Sequence, residues 1–555
     1  MGISRRVRVR LVLGAGLAAV SAGCAREAGE CPRCGTVVVA ATGEPAHLLP
    51  PLAVETVARD IGDQVYERLA DLAPGAAPID GAAYRPALAA RWERVDSLTW
   101  RFHLRPGARW QDGRPVTSED VRFSFEAFGD SALDAPARPY LARRVSVEPE
   151  DSQTLLVRFA ERSPEQLYDA TYHVRIIPSH IWSSEPKASW GSDTAVRHLI
   201  GSGPYRVAEW RRGEYVTLVA DTAAGRPPAV RRAIWRFTSD PDAALNLVLS
   251  HEADLLETVG GPERARRVAA DTSLRLVPYP SATYGFLGFR ISGGPGERPH
   301  PVLGDRATRR ALALAVDRRT LARSAFGREA KAPPGPMSQL LWIWNDSIRT
   351  LPFDTVQAQR ALDAAGWRPK KGSTLRHRGA RALAFDILVP STSPARRQLA
   401  VAVQAMWQAV GAAVTVTAVD FPVFQERLRG GQFDSYIGAW LDEPSPRGLA
   451  EQWTRAGWDE LNYGHYADPA FDALFARASR APDVGEAQRL YREAMDTLNA
   501  DAPAIFLYAP AHLAVVARRV RGVEIDPYSW ASGLRRWVAG SPAGAGATDI
   551  PGQAP

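Results

Sequence analysis

The chain has 555 residues, 45% hydrophobic and 23% charged, so it buries a large core and divides into two or more compact domains; a disordered or fibrous chain is excluded. Its 68 Lys and Arg against 61 Asp and Glu give +7, but Arg5, Arg6, Arg8 and Arg10 precede the first apolar run, and without those four the excess is +3. So small an excess argues against nucleic acid as a partner, and the pairs Arg309-Arg310, Arg318-Arg319 and Arg518-Arg519 stand among acidic and apolar residues as on a solvated face.

At the amino end the four arginines are followed by Leu11–Val20, an apolar stretch too short to span a bilayer, then by Ser21, Ala22, Gly23 and Cys24. This is the order of an export signal, residues 1–23, and not of a membrane helix. The run Ser21-Ala22-Gly23-Cys24 resembles the lipobox of bacterial lipoproteins. That resemblance implies an acylated Cys24 at the head of a lipidated tether, residues 24–34, which anchors an exported protein to a membrane, in the periplasm or at the outer cell surface. Ordinary cleavage near the same point is the alternative. No later stretch is long and apolar enough to span a membrane.

Cys31-Pro32-Arg33-Cys34 holds the other two cysteines. A zinc ribbon needs a second such pair and haem attachment needs His at position 35, which is Gly35. Cys31 and Cys34 are read as a local disulfide or an inert pair, with metal binding and redox chemistry as alternatives.

Further along, Gly35–Ala41 (GTVVVAA) reads as a strand. Leu98, Trp100, Phe102 and Leu104 alternate with polar residues, a half-buried strand stopped by Arg105-Pro106-Gly107. Asp112-Gly113 is a turn signal, and Thr117 with Asp120 has the form of a helix start. Gly201-Ser202-Gly203-Pro204-Tyr205 allows a tight chain reversal, with Tyr205 a core aromatic or a contact. Four amphipathic helices follow: one capped by Asp354 with Ala358, Ala361, Leu362 and Ala365 on its face and Gly366 at its end; one from Ser393-Pro394 carrying Leu399, Ala402, Val403, Met406 and Val410, before a strand at 413–419; one from Asp468-Pro469 aligning Phe471, Leu474, Phe475 and Ala478; and one aligning Ala487, Leu490, Tyr491, Ala494 and Leu498. Residues 539–555 lack periodicity and read as a disordered tail. Helices leading into strands suit an α/β layered fold.

Catalytic motifs are missing. The chain has no Gly-x-Ser-x-Gly elbow, phosphate-cradling Gly-Lys-Ser/Thr loop or dinucleotide fingerprint; His251-Glu252 lacks the second histidine of a zinc protease, and ten scattered histidines make no ligand cluster. No cofactor and no metal site are expected, and the reading is not an enzyme. A hydrolase with a spatially assembled site is the alternative.

Eight segments carry a resemblance that runs in order from about residue 35 to 530. They include Tyr66-Glu67-Arg68-Leu69; Trp100–Gly107 continuing through Trp110-Gln111-Asp112-Gly113-Arg114-Pro115 to Val121; Gly201–Tyr205; Asn246–Leu256; Arg309–Asp317; Ala358–Trp367; Asn462–Leu474; and Asp501–Tyr508. Together they resemble the family 5 extracellular solute-binding proteins, the peptide and nickel receptors of ABC importers. The resemblance implies a two-lobed α/β clamp of three domains: domain I at 35–71, 193–290 and 505–538, an inserted domain II at 72–192, and domain III at 291–504. It also implies a monomer that captures a small molecule or peptide by hinge closure and hands it to an ABC permease. A ligand-sensing receptor subunit is the alternative use of the same clamp.

Trp440-Leu441-Asp442-Glu443-Pro444 follows the apolar run Tyr436–Ala439 and sets two carboxylates and an indole at a strand end, where α/β clefts bind ligands. In peptide-binding members of the family an aspartate shortly after this tryptophan pairs with the peptide amino group. Carried over, that role falls on Asp442, with Glu443 as competitor. The bland alternative is that both face solvent or pair with Arg447. Glu44, Tyr66 and Tyr284 are further cleft candidates.

Overall fold

The computed structural model describes residues 34–540, apart from 134, 194, 223–226, 295, 297 and 459. Cys24, Cys31, the export signal and 541–555 lie outside the described residues, while Cys34 is disulfide-bonded. Among the described residues no helix is long and apolar enough to cross a membrane.

A seven-stranded sheet organises the first lobe, in the spatial order Leu274–Pro280, Ala511–Ala517, Leu255–Leu256, Thr36–Ala41, Arg232–Phe237, Tyr215–Ala220, Tyr205–Arg211. Thr36–Ala41 pairs in parallel with both of its neighbours, and its uninterrupted apolar run follows from burial on both faces. Val37 and Val39 pack with Ile61, Val65 and Trp235, while Val38 and Ala40 pack with Ala244, Leu245 and Val248. Gly201 and Gly203 bring the following strand against the end of the helix Thr56–Val65: Gly203 N donates to the Val65 carbonyl at 2.8 Å, and a Cβ on Gly201 would lie 1.8 Å from that same oxygen. The glycines therefore serve close backbone approach, and Tyr205 is a core residue whose hydroxyl donates to the Val230 carbonyl.

Inserted between these strands is a four-stranded antiparallel sheet, Ala89–Arg94, Thr99–Leu104, Thr154–Phe159 and Val145–Pro149. Phe102, Leu104 and Trp110 are buried in its core. Trp100 is only half-buried, because it sits at the hairpin end of the strand, where Arg94 covers its ring. The helix Ser118–Gly129 begins with a capping box in which Asp120 accepts from Thr117 N at 2.8 Å.

The second lobe is built on five strands in the order Ala413–Val419, Ala384–Pro390, Ser435–Leu441, Thr283–Phe289, Ala504–Tyr508. Asp354 caps Thr355–Ala364 and Asp468 caps Pro469–Ala478, each carboxylate accepting from a backbone N–H three residues on at 2.8 Å. On Pro394–Ala409 the buried face is Leu399, Ala400, Val403 and Trp407, so the face turns away from Ala402 and Met406, which are partly buried; Ser393 makes no cap bond. Val484–Asp501 buries Ala487, Leu490, Tyr491, Ala494 and Leu498.

Two antiparallel strands run from one sheet into the other. Leu274–Pro280 pairs with Ala511–Ala517 in the first lobe, and Thr283–Phe289 pairs with Ala504–Tyr508 in the second. The sheets therefore exchange at 281–282 and 509–510, where Ser281 N donates to the Pro510 carbonyl at 3.1 Å, and not at the expected 290 and 505. The apolar strand Thr283–Phe289 finds its partners in the second lobe, which shifts the boundary. The chain end differs as well: Val538–Ala539 pairs with Val520–Arg521, and Gly35 N donates to the Ala539 carbonyl at 3.0 Å, so Ala539 is structured.

Two of the three arginine pairs each hold one member away from solvent. Arg309 is buried and donates to the carbonyls of Leu303, Gly304, Asp501 and Ala502, and Arg519 pairs with the buried Asp254. Their guanidinium groups satisfy carbonyls and a carboxylate from distant segments, which spacing along the chain does not reveal.

Candidate ligand site between the lobes

The strand Ser435–Leu441 runs two residues beyond the expected Ala439, so Trp440 is a half-buried strand residue, opposite Tyr284 in register and stacked against Tyr463 at 6.3 Å between centroids. Asp442 is the first residue past the strand. Its N–H donates to the Ala282 carbonyl at 2.7 Å, which fixes it beside a crossover strand.

The Asp442 carboxylate is 7% exposed and accepts from Ser338 N at 2.5 Å. Burial pushes its pKa up from 3.8 to about 7, and the Ser338 bonds offset only part of that. No Arg, Lys or His forms an ion pair with it among the described residues. A buried carboxylate without a cation is costly, and the arrangement suits a positive group brought from outside. Glu443 differs: its surface is open to solvent, yet protein crowds around it. That crowding raises its pKa, against the pull of Arg59 from the first lobe and then of Arg447.

Together with Tyr140 of the inserted domain, Leu441, Asp442, Glu443, Ser445, Arg447 and Gln452 line a cavity of about 190 Å³. This is below the roughly 300–1,000 Å³ of ordinary small-ligand clefts. From the first lobe Tyr528 approaches the same carboxylate: its hydroxyl is buried without a hydrogen-bond partner, and its pKa is raised by burial and next by the Asp442 charge.

Arg447 links the second lobe to the inserted domain. Its guanidinium pairs with Asp169 at 3.1 and 2.6 Å and with Glu165, and Ser445 Oγ donates to Glu165 at 2.8 Å. Under the guanidinium lie the rings of Tyr140 and Tyr168, 5.3 and 5.9 Å away. Burial raises the pKa of both acids, and Arg447 opposes the rise. Stacked on Tyr140 at 4.7 Å, His173 is driven down to about 3 by burial and the neighbouring arginines, and so stays neutral. Arg447 is therefore engaged with the inserted domain and is not the ion-pair partner of Asp442 or Glu443.

The other candidates lie elsewhere. Tyr284 is fully buried behind the cavity wall; its hydroxyl donates to Gln452 and accepts from Trp453 Nε1 at 3.1 Å, so it braces a lining residue and makes no surface of its own. Glu44 is held in the first lobe by Arg212 at 2.9 Å, Gly213 N at 2.9 Å and Trp210 Nε1 at 3.3 Å, which uses its carboxylate locally. Tyr66 belongs to the first lobe's core, its hydroxyl buried and unpartnered. Thus Trp440, Asp442 and Glu443 share one strand end, with Asp442 and Glu443 on the cavity, and Glu44, Tyr66 and Tyr284 do not line it. Sequence reading missed Tyr140, Glu165, Asp169 and Tyr528. Glu165 and Ser445 stand 280 positions apart, and no local pattern links them.

Residues 83–459 match the family described as bacterial extracellular solute-binding proteins, family 5 middle. Among curated relatives, Protein XP55 of Streptomyces lividans is 28% identical over 522 residues, 93% of this chain and 90% of that protein. The peptide transport periplasmic protein SapA of Salmonella typhimurium is 23% identical over 519 residues, 88% and 89% of the two chains. Among solved structures, the oligopeptide-binding protein AppA of Bacillus subtilis in complex with a nonapeptide aligns with a TM-score of 0.69 at 20% identity, covering 90% of this chain and 98% of that one. The last likeness establishes the fold.

Proposed function

The chain belongs to the family 5 bacterial extracellular solute-binding proteins, and from that premise we propose that it captures a small peptide by hinge closure and delivers it to the permease of an ABC importer. The observation that carries this reading is the buried, cation-free Asp442 on the wall of the interlobe cavity. A peptide ammonium supplies the missing charge, and closing the lobes removes the pair from water. SapA and AppA, whose names describe peptide transport and oligopeptide binding, support the choice of peptide over other solutes. The receptor works as a monomer, without bond-breaking chemistry, held to the membrane by lipid on Cys24.

Native mass spectrometry of protein purified without denaturation tests the proposal. The expected result is a retained peptide, released intact, that rebinds with a free amino terminus and does not rebind once N-acetylated. A retained ligand with no positive group, or a peptide returned cleaved, overturns it.

A further inference from the structure

Of Arg309-Arg310, Arg318-Arg319 and Arg518-Arg519, Arg318-Arg319 alone has neither a buried member nor an ion pair among the described residues. It opens the helix Arg318–Phe326, and with Arg323, Lys331, Trp344 and Asp346 it lines a second cavity of about 420 Å³ on the second lobe. Arg319 and Arg323 are four residues apart, on one helix face, and both are exposed. Lys331 comes from the facing loop, with its ammonium 5.8 Å from the centre of the Trp344 ring.

Several arginines elsewhere pair with carboxylates, as Arg264 does with Asp242 and Arg376 with Asp363. In this cavity none of the four cations forms an ion pair among the described residues. Arg318 donates only to the carbonyls of Pro333 and Phe506, at 3.3 and 3.4 Å. The single lining acid, Asp346, accepts from Trp344 Nε1 at 3.0 Å. Burial, and then repulsion by Arg319, bring the Arg318 pKa down to about 10.

We propose that this cavity is a binding site for a small, multiply charged oxyanion of the pyrophosphate class, held by Arg318, Arg319, Arg323 and Lys331. Guanidinium groups match such oxygens with paired hydrogen bonds, and several cations on one anion remove their mutual repulsion. The site adjoins the hinge. Lys331 exchanges backbone hydrogen bonds with Ala509, at 3.1 and 2.8 Å, and Phe506, which accepts from Arg318, lies on the strand entering the same crossover. An occupant there would tie the 331 loop to the helix Arg318–Phe326 beside the pivot.

Calorimetric titration of the full chain with pyrophosphate at low ionic strength is the test, with citrate in a parallel arm to separate phosphate recognition from charge alone. Two variants are compared: Arg319→Gln with Arg323→Gln, and Arg360→Gln with Arg368→Gln, which removes the same charge from exposed positions elsewhere on the lobe. The expected result is one pyrophosphate per chain, at least tenfold weaker in the first variant, unchanged in the second, and weaker binding of citrate. Absence of binding to the unaltered protein, equal loss in both variants, or citrate binding as tightly as pyrophosphate overturns the proposal. Thermal melts without anion confirm that both variants are folded.

Discussion

Arg447, in the second lobe, holds Asp169 of the inserted domain through two guanidinium nitrogens, 278 positions apart in the chain. Because Glu165 shares the same guanidinium, one cation serves two carboxylates between the second lobe and the inserted domain. Removing the cation leaves two buried carboxylates without their ion-pair partner, a change that costs roughly 3–5 kcal/mol.

Arg447→Met is therefore expected to populate an open form. Small-angle scattering without ligand should show a larger radius of gyration than the unaltered protein, and ligand affinity should fall, because closure no longer gains the ion pairs. Scattering identical to that of the unaltered protein would show that the lobes close without this contact.

For Asp442→Asn, shape is kept and charge is lost. Binding of a cationic ligand should weaken by about 2–5 kcal/mol, while the unliganded protein at pH 8 should melt no lower than the parent, because the buried charge was unfavourable there. Calorimetry and a thermal melt on one sample decide between recognition and a merely structural role.

Asp442 also sets opposite pH dependences for stability and binding. Its folded pKa, about 7, lies above the ordinary 3.8, so the folded state favours the protonated acid. The stability it contributes is complete below about pH 4 and is lost as pH rises through about 7. Capture of a cation requires the ionised form, so affinity should rise over the same interval. Melts and titrations between about pH 5 and 8 should show the two slopes, and Asp442→Asn should flatten both.

At Gly201 a methyl group would collide with the Val65 carbonyl, a backbone group with little room to yield. Gly201→Ala should destabilise the first lobe by about 1–3 kcal/mol or more. Gly448→Ala, where an added Cβ meets nothing within 4 Å, serves as the control. Equal melting temperatures for the two variants would count against close approach as the role of Gly201.

Local chemistry is what the sequence makes legible. Asp354, Asp468 and the Thr117–Asp120 pair each act within three residues of themselves, so helix starts could be read directly. Thr36–Ala41 was equally plain as an apolar run. Asp442 and Glu443 were found because a strand end is a local feature. Arg447 was seen only as a neighbour of those acids, since its true partners arrive from the inserted domain. Trp100 carried the alternation of a buried strand, but only position within the hairpin determines how much of its ring the core covers. The strand exchange at 281–282 and 509–510 likewise follows from which sheet completes each edge, a property of the whole assembly.

The order of the seven-stranded sheet also has a consequence for biosynthesis. Ala511–Ala517 is an interior strand, flanked by Leu274–Pro280 and Leu255–Leu256, yet it is made after every other strand of that sheet. All five strands of the second lobe lie between 283 and 508, so that lobe has its full complement first. Until residue 517 is made, the first lobe carries a gap with two unpaired edges, which a chain cut before Ala511 could never fill and which would offer a template for aggregation.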